Sequence, residues 1–121
     1  MSKDGFIVNR IKSIGFAFKG MILLLKTEAS IQLQFLIALA VTALGFYFDI
    51  SRTEWIVQLS MIAMVMSVEG LNTAIESIAD FIHPEQHQQI GRLKDIAAGA
   101  VFIAAIIAVI VGLIIYIPKF L

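Results

Sequence analysis

Five polar side chains share one face of a stretch otherwise apolar enough for a membrane interior. Glu69, Asn72, Thr73, Glu76 and Asp80 fall at i, i+3, i+4, i+7 and i+11. On an α-helix these positions stack on one side. An ionisable group inside a membrane segment is expensive and points to a functional site by default. Carboxylates so placed can hold a hard divalent cation or take a proton from a hydroxyl. Phosphoryl transfer needs both, together with cations to meet the phosphate charge. In that chemistry Glu28 and Glu76 are oxygen ligands for Mg2+, and Lys94 and Arg10 meet phosphate. Glu69, the deeper carboxylate, takes the proton of a lipid hydroxyl.

Each of these residues also has a plainer structural role open to it. Glu69 suits a protonated carboxyl hydrogen-bonded to a neighbouring helix. Asn72 and Thr73 suit interhelical contacts, and Lys94 and Asp95 suit solvated caps. His83 and His87 have the i, i+4 spacing of a metal pair, but Pro84 lies between them. The chain has no Gly-rich phosphate loop, so an ATP site here must be built from helix side chains.

The elements that position this face are membrane helices. The chain has 121 residues, of which 60% are hydrophobic, against about 45–50% in soluble domains. The excess falls in long runs, which predicts an all-α integral membrane protein of one domain, residues 1–121. Cysteine is absent, which excludes disulfide and thiolate chemistry, and the formal net charge is zero. Nothing in this composition points to nucleic acid.

Residues 1–28 lack the layout of a cleavable signal peptide. Lys12, Lys19 and Lys26 recur on one side; Ile7, Ile14, Met21 and finally Glu28 recur on another, beside Ile11, Phe18 and Leu25. That pattern predicts an amphipathic helix lying in the membrane interface, with Glu28 aimed toward the protein body. Residues 29–48 carry no charge and suffice for one crossing, ending in Phe46, Tyr47 and Phe48. A turn at 49–54 leads to a second span over 55–82, anchored by Trp55. Glu69 lies roughly 21 Å along this helix from Trp55 and Glu76 roughly 10 Å further, near the far interface. Residues 83–95 are expected as a polar loop and 96–118 as the third span. In that span Ala97, Ala100, Ala104, Ala108 and Gly112 form a small-residue stripe. Lys3, Arg10, Lys12, Lys19, Lys26, Arg92 and Lys94 fall on one side of the membrane, and only Arg52 and Lys119 on the other. The positive-inside rule then puts the N-terminus and the polar face in the cytoplasm.

Glu69-Gly-Leu-Asn-Thr-Ala-Ile-Glu76, then Asp80, Glu85-x-His87 and Lys94-Asp95-x-Ala-Ala-Gly-Ala, resemble the bacterial integral-membrane diacylglycerol kinase family, which includes undecaprenol kinases. The resemblance runs from Arg10 to the end. It implies a homotrimer of three-span protomers, each with an N-terminal surface helix, in the bacterial inner membrane. It implies sites shared between protomers, with ATP as co-substrate and Mg2+ at the cytoplasmic face. Glu69 matches the proton acceptor, and Glu28 and Glu76 match metal-binding glutamates that also contact nucleotide. Glu85, Gln86 and His87 match a nucleotide-contacting loop, and Lys94 and Asp95 a phosphate-side pair. The lipid-contacting set is Glu69, Asn72 and Ala98. Phe16 stands where proteobacterial members carry tyrosine. Asn9 replaces an early arginine, which leaves Arg10 one place along as the ATP contact. Lys26-Thr-Glu28, Glu54-Trp55 and the closing Ile-Pro-Lys resemble the undecaprenol branch more, but both lipids stay open.

Two other classes compete. A small proton-coupled transporter would use Glu69 as a relay, yet it needs a polar path through both leaflets. Trp55 to Met66 offers only Gln58 and Ser60. A non-enzymatic assembly subunit would pack through the small-residue stripe and leave the carboxylate and lysine set without a role.

Overall fold

The computed structural model describes residues 3–121, with side chains from residue 5 onward. Met1 and Ser2, and the side chain of Lys3 counted above for orientation, lie outside the described residues. Four helices follow one another: α1 (Lys3–Thr27), α2 (Ala29–Tyr47), α3 (Arg52–Ile82) and α4 (Gln88–Phe120). α2, α3 and α4 are long and apolar enough to cross a membrane, so the chain is an all-α membrane protein with an N-terminal helix. With 31 and 33 residues, α3 and α4 each reach roughly 45–50 Å. Both outrun a hydrocarbon core of about 30 Å and carry side chains past its edge.

The breaks between helices are written locally. Glu28 is extended (φ −103°, ψ 113°) and separates α1 from α2. The Gln32 amide donates to the Leu25 and Lys26 carbonyls, each at 3.1 Å, which satisfies carbonyls orphaned at the end of α1. The α2–α3 turn places Asp49 in the left-handed region (φ 50°). α3 then starts at a capping box: Glu54 N–H donates to Ser51 Oγ at 3.1 Å, and Ser51 N–H donates to Glu54 Oε1 at 2.9 Å. This cap starts the helix at Arg52 rather than at Trp55 as the apolar run implied. Pro84 removes an amide donor and disfavours helix in the residue before it, and α3 stops at Ile82.

The expected polar loop over 83–95 is shorter than its composition suggested. The link covers only 83–87. The His87 side chain accepts from Gln89 N–H at 3.1 Å and caps α4 at Gln88, so Arg92, Lys94 and Asp95 are helical. The helix also runs through Pro118 to Phe120. His83 Nδ1 meets the Glu85 carbonyl at 2.8 Å. Both imidazoles therefore serve the link's backbone, which gives them a structural role.

α3 and α4 pack together along much of their length, α2 packs on α3, and α1 touches mainly α2. The tightest region is the end away from Glu28. There Ile50, Ile115 and Tyr116 are buried against Leu44, Phe48, Trp55, Val57 and Val111. Tyr116 O–H donates to Gln58 Oε1 at 2.5 Å, and the Gln58 amide donates to the Val41 carbonyl at 3.1 Å. Lys119 pairs with Glu54 at 2.9 Å. Ala97 and Ala104 of the small-residue stripe are buried, whereas Ala100 is exposed. The stripe winds off the α3 contact there because steps of three and four residues do not track one straight line on a 3.6-residue helix.

Gly45 sits where the edge of the Trp55 indole crosses α2. A Cβ there would lie 2.7 Å from that ring, while one at Gly15 would meet nothing within 4 Å. Gly45→Ala is expected to destabilise the fold by about 1–3 kcal/mol through overpacking, against the helix preference for alanine. Gly15→Ala should melt at or above wild type. Thermal unfolding in detergent decides, and a Gly45→Ala melt equal to wild type would mean the contact relaxes freely.

Candidate functional site

At the end opposite the aromatic cluster, a pocket of about 370 Å³ opens between the start of α2, the second half of α3 and α4. Glu28, Ser30, Glu69, Asn72, Thr73 and Glu76 form its polar side, and Ala98, Val101, Phe102 and Ala105 its apolar wall. The break at Glu28 is what allows this. As the extended residue between two helices, Glu28 turns its carboxylate across to α3 instead of continuing the α1 stripe. Leu24 reaches α3 at Gly70, where an added Cβ would lie 3.1 Å from Leu24 Cδ1. The end of α1 is thus seated beside Glu69.

Glu69 is 8% exposed and Asn72 7%. The Asn72 amide donates to Glu76 Oε1 at 3.2 Å, while Asn72 Oδ1 is buried with no partner. Such a group costs free energy unless a ligand satisfies it. Ser30, at the first turn of α2, is a hydroxyl neighbour of Glu69. Among the described residues no three acidic, histidine or cysteine side chains converge on one metal-sized point. The oxygen-only donor set still suits Mg2+, which takes one or two carboxylates and completes its shell with phosphate oxygens and water. Among the described residues no lysine or arginine lines the pocket. A deep carboxylate, two shallower ones and a buried amide can hold a hydroxyl, a proton and a metal. By themselves they do not neutralise a polyphosphate.

The structure therefore brings together Glu28, Glu69, Asn72, Glu76 and Ala98, with Thr73. It does not bring the other expected nucleotide contacts into this pocket. Arg10 lies over the Phe6 ring at 5.6 Å, and Phe16 is exposed beneath Lys19. Glu85, Gln86 and His87 lie in the link and Asp95 on the exposed side of α4. Lys94 is bound to Asp80 at 2.5 Å. Asp80 continues the polar face by spacing but falls beyond the pocket, toward water. Sequence reasoning missed Ser30, Val101, Phe102 and Ala105. Ser30 carries a trace, as a hydroxyl two residues from Glu28; the three apolar residues carry none.

The sequence profile of prokaryotic diacylglycerol kinases matches residues 15–116. Undecaprenol kinase of Bacillus subtilis is 39% identical over 108 residues, 89% of this chain and 88% of that protein. Diacylglycerol kinase of Escherichia coli K12 is 35% identical over 100 residues, 83% of this chain and 82% of that protein. Diacylglycerol kinase of Haemophilus influenzae is 32% identical over 111 residues, 92% of this chain and 94% of that protein. The chain belongs to the prokaryotic diacylglycerol kinase family. It is a membrane-embedded lipid kinase, with ATP as co-substrate, and a bacterial membrane protein. The transporter alternative finds no support in this relationship.

Ala98 and Ala105 are the smallest side chains on the pocket's apolar wall. Ala98→Leu is expected to cut lipid phosphorylation by about tenfold or more by displacing reacting groups, with thermal unfolding near wild type. Full activity with a bulky residue there would show that substrate does not use this wall.

Proposed function

We propose that the whole chain acts as one domain that moves the γ-phosphate of ATP, with Mg2+, onto the hydroxyl of a membrane lipid alcohol, either diacylglycerol or undecaprenol. The observation that carries this reading is the grouping of Glu28, Glu69 and Glu76 around one pocket beside buried Asn72. An acceptor hydroxyl arriving from the bilayer reaches Glu69 first, and a water-borne nucleotide reaches Glu76 and Glu28 first. As the lipid oxygen bonds to the γ-phosphorus, the bond to the β–γ bridging oxygen breaks and ADP leaves. The hydroxyl proton passes to Glu69. Glu28 and Glu76 are the residues that would hold Mg2+, which when bound would neutralise phosphate charge. Asn72 orients Glu76 through its amide and offers its free oxygen to the lipid headgroup, while Ala98 leaves that headgroup room.

Lys94 meets the nucleotide phosphates, and Arg10, Phe16, Glu85, Gln86, His87 and Asp95 surround the rest of the nucleotide. A homotrimer with sites shared between protomers fits a pocket whose charged side chains, among the described residues of one protomer, are all acidic. The basic residues of α1 and of α4's first turns favour a cytoplasmic pocket.

Labelled ATP and Mg2+ with mixed micelles of diacylglycerol or undecaprenol test the reaction; if neither lipid gains phosphate, the reading fails. Glu69→Gln should lower turnover by about 100-fold or more and keep nucleotide binding. Loss of that binding would move Glu69 into the nucleotide site. Glu28→Gln and Glu76→Gln should each raise the Mg2+ concentration needed for half-maximal activity, and an unchanged requirement refutes the ligand role. Activity per protomer should rise with assembly, so a fully active isolated protomer would overturn the shared site.

A further inference from the structure

Asp80 belongs to the polar face of α3, yet neither the pocket nor the proposed transfer uses it. It lies one helical turn beyond Glu76. Lys94 lies one turn before Ala98 on the facing helix. Glu76 and Ala98 are both pocket residues, so the 2.5 Å contact between Lys94 Nζ and Asp80 Oδ1 spans the two helices directly above the pocket mouth. The lysine side chain is 36% exposed and the aspartate 60%. An ion pair this open to water contributes little to stability, so holding α3 to α4 does not account for it well.

Its placement does. Among the described residues the pocket below is lined by three carboxylates and no cation, and a polyphosphate entering it meets like charge. A lysine side chain on its own spreads over many rotamers. Asp80 removes that freedom and engages one ammonium donor, which leaves the others for an incoming phosphate. We propose that Asp80 is a positioning residue for the nucleotide: it holds the Lys94 ammonium over the pocket mouth, so that Lys94 is already in place when the phosphates arrive. This rests on the reading of Lys94 as a phosphate contact.

The test measures KM for ATP and kcat at saturating lipid for the full-length protein in mixed micelles, with thermal unfolding of each variant. Lys94→Met must raise the KM for ATP strongly; if it does not, the phosphate role of Lys94 fails and the proposal with it. Asp80→Asn should raise that KM by about tenfold while kcat falls far less, since lost preorganisation is felt on binding. Asp80→Glu, which keeps the charge, should recover most of the affinity. In the Asp80→Asn, Lys94→Met pair the two effects should not add, because Asp80 acts only through Lys94. With the Lys94 effect intact, an unchanged KM in Asp80→Asn overturns the proposal. A lower KM overturns it too, since Asp80 would then hold Lys94 away from the nucleotide. A lowered melting temperature with KM and kcat equally affected would make the pair a structural tie and likewise overturn it.

Discussion

A carboxylate cannot rest in hydrocarbon without groups around it that accept its proton, its charge or its hydrogen bonds. Glu69 imposes that constraint on the whole chain. It lies a little past the middle of α3, and it is 8% exposed. Asn72 and Glu76 lie beside it by the spacing of α3, and Glu28 and Ser30 join them because the break at Glu28 seats the end of α1 and the start of α2 against α3. The site is thus the place where the chain makes a costly charge tolerable. On the proposed reading, hydroxyl and nucleotide, one from each solvent, meet there.

The two ends of the helix bundle divide structure from chemistry. At the far end, aromatic packing, the Tyr116–Gln58–Val41 hydrogen bonds and the Glu54–Lys119 pair fasten α2, α3 and α4 together. Their polar atoms satisfy one another. At the Glu28 end they do not: Asn72 Oδ1 is buried without a partner, and the cation at the mouth belongs to an exposed ion pair. Unsatisfied groups on a firmly held frame are what a binding site requires, since the ligand then supplies the missing contacts.

Much of this was legible in the chain. Three long apolar runs gave three spans, because a bilayer admits few alternatives to helices. The i, i+3, i+4, i+7 set gave the polar face, because side chains on one α3 face keep their relation whatever packs against them. Boundaries were less legible. Arg52 to Glu54 and Gln88 to Asp95 look like turn and loop by charge, but Ser51 and His87 cap helices that absorb them. Capping depends on the backbone geometry around the cap, which composition alone does not describe.

From its residues the chain determined the spans, the polar face and the pairing of a deep carboxylate with a shallow one, since these follow from hydropathy and helical period. Their family resemblance pointed further, to a lipid kinase. Tertiary structure alone decided which distant residues share the pocket. Glu28 enters through a backbone break, and Val101, Phe102 and Ala105 enter because α4 runs antiparallel beside α3. It also decided where the polar face divides. Glu76 turns into the pocket, while Asp80, one turn on, meets Lys94 because α4 begins early enough to bring that lysine across. Such contacts depend on the relative position of two helices, and the periodicity of either helix by itself does not contain that information.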